Sequence, residues 1–405
     1  TTAARRRQER MPLGRLPQVR SEIQALTPRV VETRREFHAY PELSWKETET
    51  QRRILDRLRA IPGLTDIRPI ALTGATALLK GGKGGKTVLW RADIDALPIP
   101  ERSSEPFVSR NEGVMHACGH DAHIAIALGL VEALAAKREK LSGSVRFVFQ
   151  PAEEAAGGAQ RCIEDGVLES PKVDRALGLH ISADIPIGMV NVAPGPFFAA
   201  PTAFKAVIEG RGGHAAAPHQ SVDAIVVAAH AVVALQTVVS RSVAPPDAAV
   251  LTIGKLQSGF RGNVIAESAT MTGTIRSYED RVRELMLQRV EQILGGVCAA
   301  FGATYRFSHN TSCPPLVNDP GVAAFVVDQA ARLFGAANIV AAPSMGADDM
   351  ADFLRARPGC YFWLGARNEA KGIAGRHHDP GFAIDEDALP LGMELGMRLI
   401  EGSLS

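Results

Sequence analysis

The sequence predicts an α/β fold with a second, ferredoxin-like domain inserted into it, and three observations lead there. Strand-length apolar runs alternate with helical periodicity through the first half of the chain. Composition turns to Pro, Gly and Ala around Pro194 to Pro201. Beyond that point the rhythm becomes β-α-β-β-α-β, the split unit of ferredoxin-like domains.

In order, residues 22–60 read as two helices broken at Tyr40-Pro41-Glu42, because proline cannot continue a helix and restricts the residue before it. Ile54, Leu55 and Leu58 form part of an apolar face in the second. Residues 87–91 form a strand running into Asp93 and Asp95. Residues 121–137 read as a helix whose Ile124, Ile126, Leu128, Val131 and Leu134 leave little polar surface. Residues 145–149 and 175–179 are further strands, leading to Glu153 with Glu154 and to His180. Each chemical residue is thus expected just past a strand's carboxyl end, where the loops of open α/β sheets converge.

The insert is read as strand 202–209, helix 221–240, strands 248–256 and 267–276, helix 279–300 and strand 303–309. After Cys313 the earlier pattern returns, with helix 319–334, strand 360–364, a loop holding His377 and His378, and a closing helix from Asp385. The expected domains are a main one, 21–197 with 312–405, and an insert, 198–311. Residues 1–20, with Arg5, Arg6, Arg7 and Arg10 but no apolar stretch for a signal peptide, read as a disordered basic tail.

Lys plus Arg number 45 against 44 Asp plus Glu, so no net field draws nucleic acid or an anionic membrane, and a small-molecule substrate fits better. The five cysteines are scattered, odd in number and without C-x-x-C spacing, which points to a reducing, cytoplasmic setting. The apolar run 224–239 is interrupted by His230 and Gln236 and bracketed by Asp223 and Arg241, so it reads as a buried or interface helix rather than a membrane span.

The segment from His116 to His123 packs three histidines, a thiol and a carboxylate into one short stretch, which ordinary packing does not require. Cys118 and His120, two apart, project to one side of an extended segment and can reach a common pair of metals. A buried thiol beside structural histidines is the alternative. Glu153 and Glu154, adjacent after a strand, are expected to point oppositely, one to bind metal and the other to act as general base. A solvated acidic pair opening a helix is the competing reading. His180 alone fits a core histidine equally, and His378 has His377 as a rival. Asp95 can orient a ligand imidazole; a capping or turn role competes for both Asp93 and Asp95.

Arg91 to Pro98, His116 to His123, Gln150 to Glu154, Gly178 to His180, Gly212 to Pro218 and His378 to Phe382 together resemble the aminoacylase and carboxypeptidase superfamily of di-metal hydrolases. The similarity is to its branch of hippurate hydrolases, N-acyl-amino-acid amidohydrolases and auxin-conjugate amidohydrolases, over about residues 22–403. It implies a mixed-sheet catalytic domain with a lid and dimerisation domain at 198–311. It also implies two divalent metal ions per subunit: zinc, with manganese, cobalt or nickel compatible.

Carried over, the pattern makes Cys118 a bridging ligand, His120, Glu154, His180 and His378 the other ligands, and Glu153 the acid/base. His214 would reach a partner subunit's site, and Asn263 and Arg276 would grip a substrate carboxylate. The implied substrate is an N-acyl amino acid and the implied assembly a homodimer; a dipeptidase or aminopeptidase of the same superfamily is the alternative. The chain departs from the pattern at Ala266 and Glu267 and, within the segment Ala347-Asp348-Asp349-Met350, at Ala347, Asp348 and Met350, none of them an expected ligand.

Overall fold

The computed structural model of the chain describes residues 16–103 and 105–404. They form two compact units: residues up to Pro194 with Asp319–Ala342 and Arg357–Ser405, and Gly195–Asn318 with Pro343–Ala356.

The first unit is built on an eight-stranded mixed sheet, which bears out the predicted α/β class. Its order is Leu64–Ile70, Gly74–Lys80, Ser142–Gln150, Lys83–Asp93, Arg175–Pro186, Gly359–Arg367, Val190–Asn191 and Ile339–Val340. Four central strands run parallel: Lys83–Asp93 pairs in parallel with both Ser142–Gln150 and Arg175–Pro186, and the latter with Gly359–Arg367. Buried on both faces, they read as nearly continuous apolar runs. The two strands before residue 81 add antiparallel at one side, a pairing that short apolar runs alone do not reveal.

Helix His120–Ala135 buries every residue but Glu132 and Ala135. It lies against helices Ser21–Ala39 and Ala388–Leu404. Gly129 makes that closeness possible: a Cβ there would stand 2.8 Å from the Met393 sulfur and 2.9 Å from Val30.

The second unit carries a four-stranded antiparallel sheet in the order Ala249–Ser258, Ser268–Ser277, Ala200–Glu209, Thr304–Thr311. Helices Ala224–Leu235 and Asp280–Phe301 pack on it through Val227, Ala231, Leu235, Met286, Val290 and Leu294. The helical stretch Ala224–Ser242 is long and apolar enough to cross a bilayer. It nevertheless buries Ala224, Val227, Ala228, Ala231 and Leu235 in this domain's own core.

The boundaries differ from the sequence reading, the second unit beginning at Gly195 rather than at residue 198. Residues 312–318 and 343–356 belong with the second unit, because Leu316–Asn318 pairs with Gly195–Phe198 and the Ser344 amide donates to the Phe197 carbonyl at 2.9 Å. The expected basic tail also ends earlier. Leu16 and Val19 pack on the core, and Arg20 bonds Glu394 at 3.2 Å and Glu401 at 2.7 Å. Its remainder, residues 1–15, lies outside the described residues.

Candidate metal centre

The parallel strands of the first unit bring the chemical residues to one end of the sheet. Lys83–Asp93 leads to Asp95, Ser142–Gln150 to Glu153 and Glu154, and Arg175–Pro186 contains His180. His180 was expected beyond its strand but lies inside it, because Gly359–Arg367 continues pairing past it, with Trp363 opposite His180. The Trp363 ring lies 4.4 Å from the imidazole.

Cys118 and His120 are not in an extended segment. Gly119 between them has φ +93° and precedes the helix that His120 opens. This left-handed turn, cheap only for glycine, joins the thiol and imidazole. Glu153 and Glu154 likewise do not diverge: they follow Ala152 at φ +53° in a turn. One oxygen of each lies within 4.8 Å of the other and of a His120 ring nitrogen.

Two donor triads share the thiol: Cys118 with His120 and His180, and Cys118 with Glu154 and His378, the donor atoms within each being within 4.8 Å of one another. Cys118 Sγ is 3.4 Å from His180 Nε2, and His378 Nε2 is 3.1 Å from Glu154 Oε1. The adjacent histidines sit differently, though His377 Nδ1 also lies 3.7 Å from Cys118 Sγ. His377 is largely buried, its Nε2 accepting the Ala183 amide at 3.0 Å. His378, at φ +62°, is more exposed, and its amide donates to the Ala117 carbonyl at 2.8 Å.

Hydrogen bonds set the tautomers. His120 Nδ1 donates to the Asp95 carbonyl at 2.9 Å and His180 Nδ1 to the Ile181 carbonyl at 2.7 Å, so each ring turns Nε2 toward the cluster. The Asp95 carboxylate accepts the Ser44 hydroxyl at 2.6 Å and the Glu154 amide at 3.0 Å. His123, whose Nδ1 meets Asp93, accepts the Ile181 amide through Nε2 at 2.8 Å and so fixes the strand beside His180.

Burial lowers the His120 pKa, but Asp93 and Asp95 outweigh it and raise it to about 10. Burial, then Glu154, Glu153 and Asp93, pushes the Cys118 thiol up. Burial drives His180 down, keeping that ring neutral. The residues suit a divalent cation: His120 Nε2 is buried without a hydrogen-bond partner among the described residues, and carboxylates crowd a thiol that ionises only beside positive charge. Thiolate, imidazole and carboxylate together suit zinc or another borderline divalent ion.

His214, Asn263 and Arg276 lie in the second unit. Exposed His214 pairs with Val264, and the Ala215 amide donates to the Asn263 carbonyl at 3.2 Å. Arg276 is half-buried on strand Ser268–Ser277 opposite Pro201 and Val250, and burial lowers its pKa. Asp348 accepts the Met350 amide at 2.7 Å, opening helix Met350–Ala356 in the same unit.

Sequence reasoning gave no site role to Ser44 or Glu47, and placed His123 only within the cluster from His116 to His123 without assigning it as a ligand. Of these only His123 carried a signal, three residues after His120 on the same helix face.

The sequence profile of the peptidase family M20/M25/M40 matches residues 89–402. Thermostable carboxypeptidase 1 of Saccharolobus solfataricus is 37% identical over 381 residues, 92% of this chain and 95% of that protein. N-acetyl-L-cysteine deacetylase of Bacillus subtilis is 40% identical over 368 residues, 91% of this chain and 86% of its own. The crystal structure of a Bacillus subtilis dinuclear metal binding peptidase superposes with a TM-score of 0.81 at 33% identity, covering 94% of this chain and 99% of the other.

Proposed function

Because this chain belongs to the peptidase family M20/M25/M40, a family of hydrolases, we propose that it is a metal-dependent amidohydrolase cleaving N-acyl amino acids to a carboxylic acid and a free amino acid. The observation that carries the reading is the thiol shared by two donor triads. Cys118 would bridge two divalent ions, with His120, Glu154, His180 and His378 as the remaining ligands. When bound, the ions supply Lewis acidity toward the amide carbonyl and ease deprotonation of the attacking water.

The chain's own groups do the rest. Glu153 accepts the proton of the attacking water and returns it to the leaving nitrogen as the carbon–nitrogen bond breaks, so no proton is gained or lost. Asp95 holds His120 in the tautomer that presents Nε2. Arg276 and Asn263 bind the amino acid carboxylate, the guanidinium suiting a bidentate grip. His214 donates to the developing oxyanion from a second subunit. The second unit is read as lid and dimerisation domain because its helix leaves Ile225, Val226 and Val233 exposed. Five cysteines, none of them in a disulfide among the described residues, suit a cytoplasmic enzyme, with zinc the leading metal and manganese, cobalt or nickel compatible.

Glu153→Gln tests the reading: metal content should stay at the wild-type level while turnover falls about 100- to 10,000-fold. Near-normal turnover removes Glu153 from the base role. The carboxypeptidase relative favours a second reading, peptide cleavage. Faster hydrolysis of a dipeptide than of the matching N-acyl amino acid would replace the first reading with it.

A further inference from the structure

The backbone that carries Glu153 is gripped on both sides by buried carboxylates. Ala152, just before it, sits at φ +53°, a left-handed conformation that non-glycine residues hold only where their surroundings enforce it. Glu47 supplies the enforcement. Fully buried, it accepts the Ala152 amide through Oε1 at 2.8 Å and the Thr73 hydroxyl through Oε2 at 2.6 Å. After Glu153, the Glu154 amide donates to Asp95 Oδ2 at 3.0 Å, and that oxygen also takes the Ser44 hydroxyl at 2.6 Å.

Ser44 and Glu47 come from one short link between helices Ser21–Ala39 and Thr48–Ala60. The link is tied down by the Ala96 amide, which donates to the Glu42 carbonyl at 2.8 Å, and Trp45 within it is itself at φ +64°. One stretch of chain thus holds, directly or through Asp95, the amides before and after Glu153.

We propose that Glu47 is a positioning residue for Glu153: its buried carboxylate fixes the turn from Pro151 to Glu154 and so aims the Glu153 side chain at the metal cluster. This rests on the reading of Glu153 as the base. Glu47 bonds Thr73 and Ala152 rather than any metal-directed side chain, so its effect runs through backbone geometry.

Charge and shape are separable at this position. Gln keeps an oxygen for the Ala152 amide and offers its amide group to Thr73, whose hydroxyl can accept. Asp keeps the charge but is one methylene too short to hold both partners where they stand.

The metal-loaded full-length enzyme would be assayed on an N-acyl amino acid, with metal per chain and melting temperature measured alongside. Glu47→Asp should lose at least tenfold in kcat with KM and metal content unchanged, while Glu47→Gln stays within about threefold of wild type in kcat. An unimpaired Glu47→Asp, a Glu47→Gln as impaired as Glu47→Asp, or a loss of rate that follows loss of metal would overturn the proposal. Glu153→Gln is the separate control: normal turnover there defeats the base reading itself, whatever the Glu47 variants do.

Discussion

Cys118 Sγ stands 3.4 Å from His180 Nε2, and the same sulfur belongs to a second triad with Glu154 and His378. A ligand common to two ions has a testable signature. Cys118→Ala should reduce both metals together, whereas His180→Ala should reduce one more than the other. Elemental analysis of desalted protein reads this directly; full metal content in Cys118→Ala would exclude a bridging thiolate.

Asp95 meets His120 through its carbonyl and the Glu154 amide through its carboxylate, so one residue orients two donors. Asparagine at 95 replaces one accepting oxygen with a donor, against either the Ser44 hydroxyl and Glu154 amide or the His120 side of the carboxylate. Loss of such a supporting contact typically weakens metal binding by about 10- to 100-fold. Competition against a chromophoric chelator should show a drop of that size in Asp95→Asn, and unchanged affinity would confine Asp95 to a structural turn.

The α/β class and the order of the insert's strands and helices were legible because apolar periodicity is local and strong, as in 121–137 and 279–300. The residues of the two donor triads were legible because Cys, His and Glu are rarely gathered by packing alone. What sequence could not show was the backbone that aims them. Strand alternation sent Glu153 and Glu154 apart, yet the turn at Ala152 brings them together, and it depends on Glu47, 105 residues away. His180 was expected in a loop because the pairing that extends its strand comes from Gly359–Arg367, far along the chain. Both misreadings have one cause: contacts distant in sequence override local pattern.

Gly119 offers a test of the turn that joins Cys118 to His120. A Cβ there would fall 2.3 Å from Ile181 Cγ2, on a backbone at φ +93°. Gly302, at φ +72° after helix Asp280–Phe301, has nothing within 4 Å and isolates the backbone cost. Gly302→Ala should lose about 1 kcal/mol from conformation. Gly119→Ala should lose about 1–3 kcal/mol more from overpacking, with weakened metal binding as well. Equal losses by urea denaturation would mean that Ile181 yields freely and that the turn is not sterically defined.

On helix His120–Ala135, Asp121 takes Arg34 at 2.7 Å and His38 at 2.8 Å, and His38 in turn meets Glu101 at 3.2 Å. Burial pushes Glu101 up, but His38, Ser103 and the Ser109 amide outweigh it and hold the carboxyl down to about 2. Its folded pKa is therefore below the ordinary 4.5, so its stabilisation is complete above that value and is lost as pH falls from 4.5 toward about 2. For His38, burial lowers the pKa but Asp121 and Glu101 raise it above 6.5. Its contribution is present in full below 6.5 and fades as pH rises through the raised value. The pair therefore stabilises most between 4.5 and 6.5. Glu101→Gln should cost about 1–2 kcal/mol at pH 6, after allowance for solvent screening, and progressively less toward pH 3. Denaturant melts across that range check the sign: a penalty that grows as pH falls would contradict an ionised Glu101 partnered by His38.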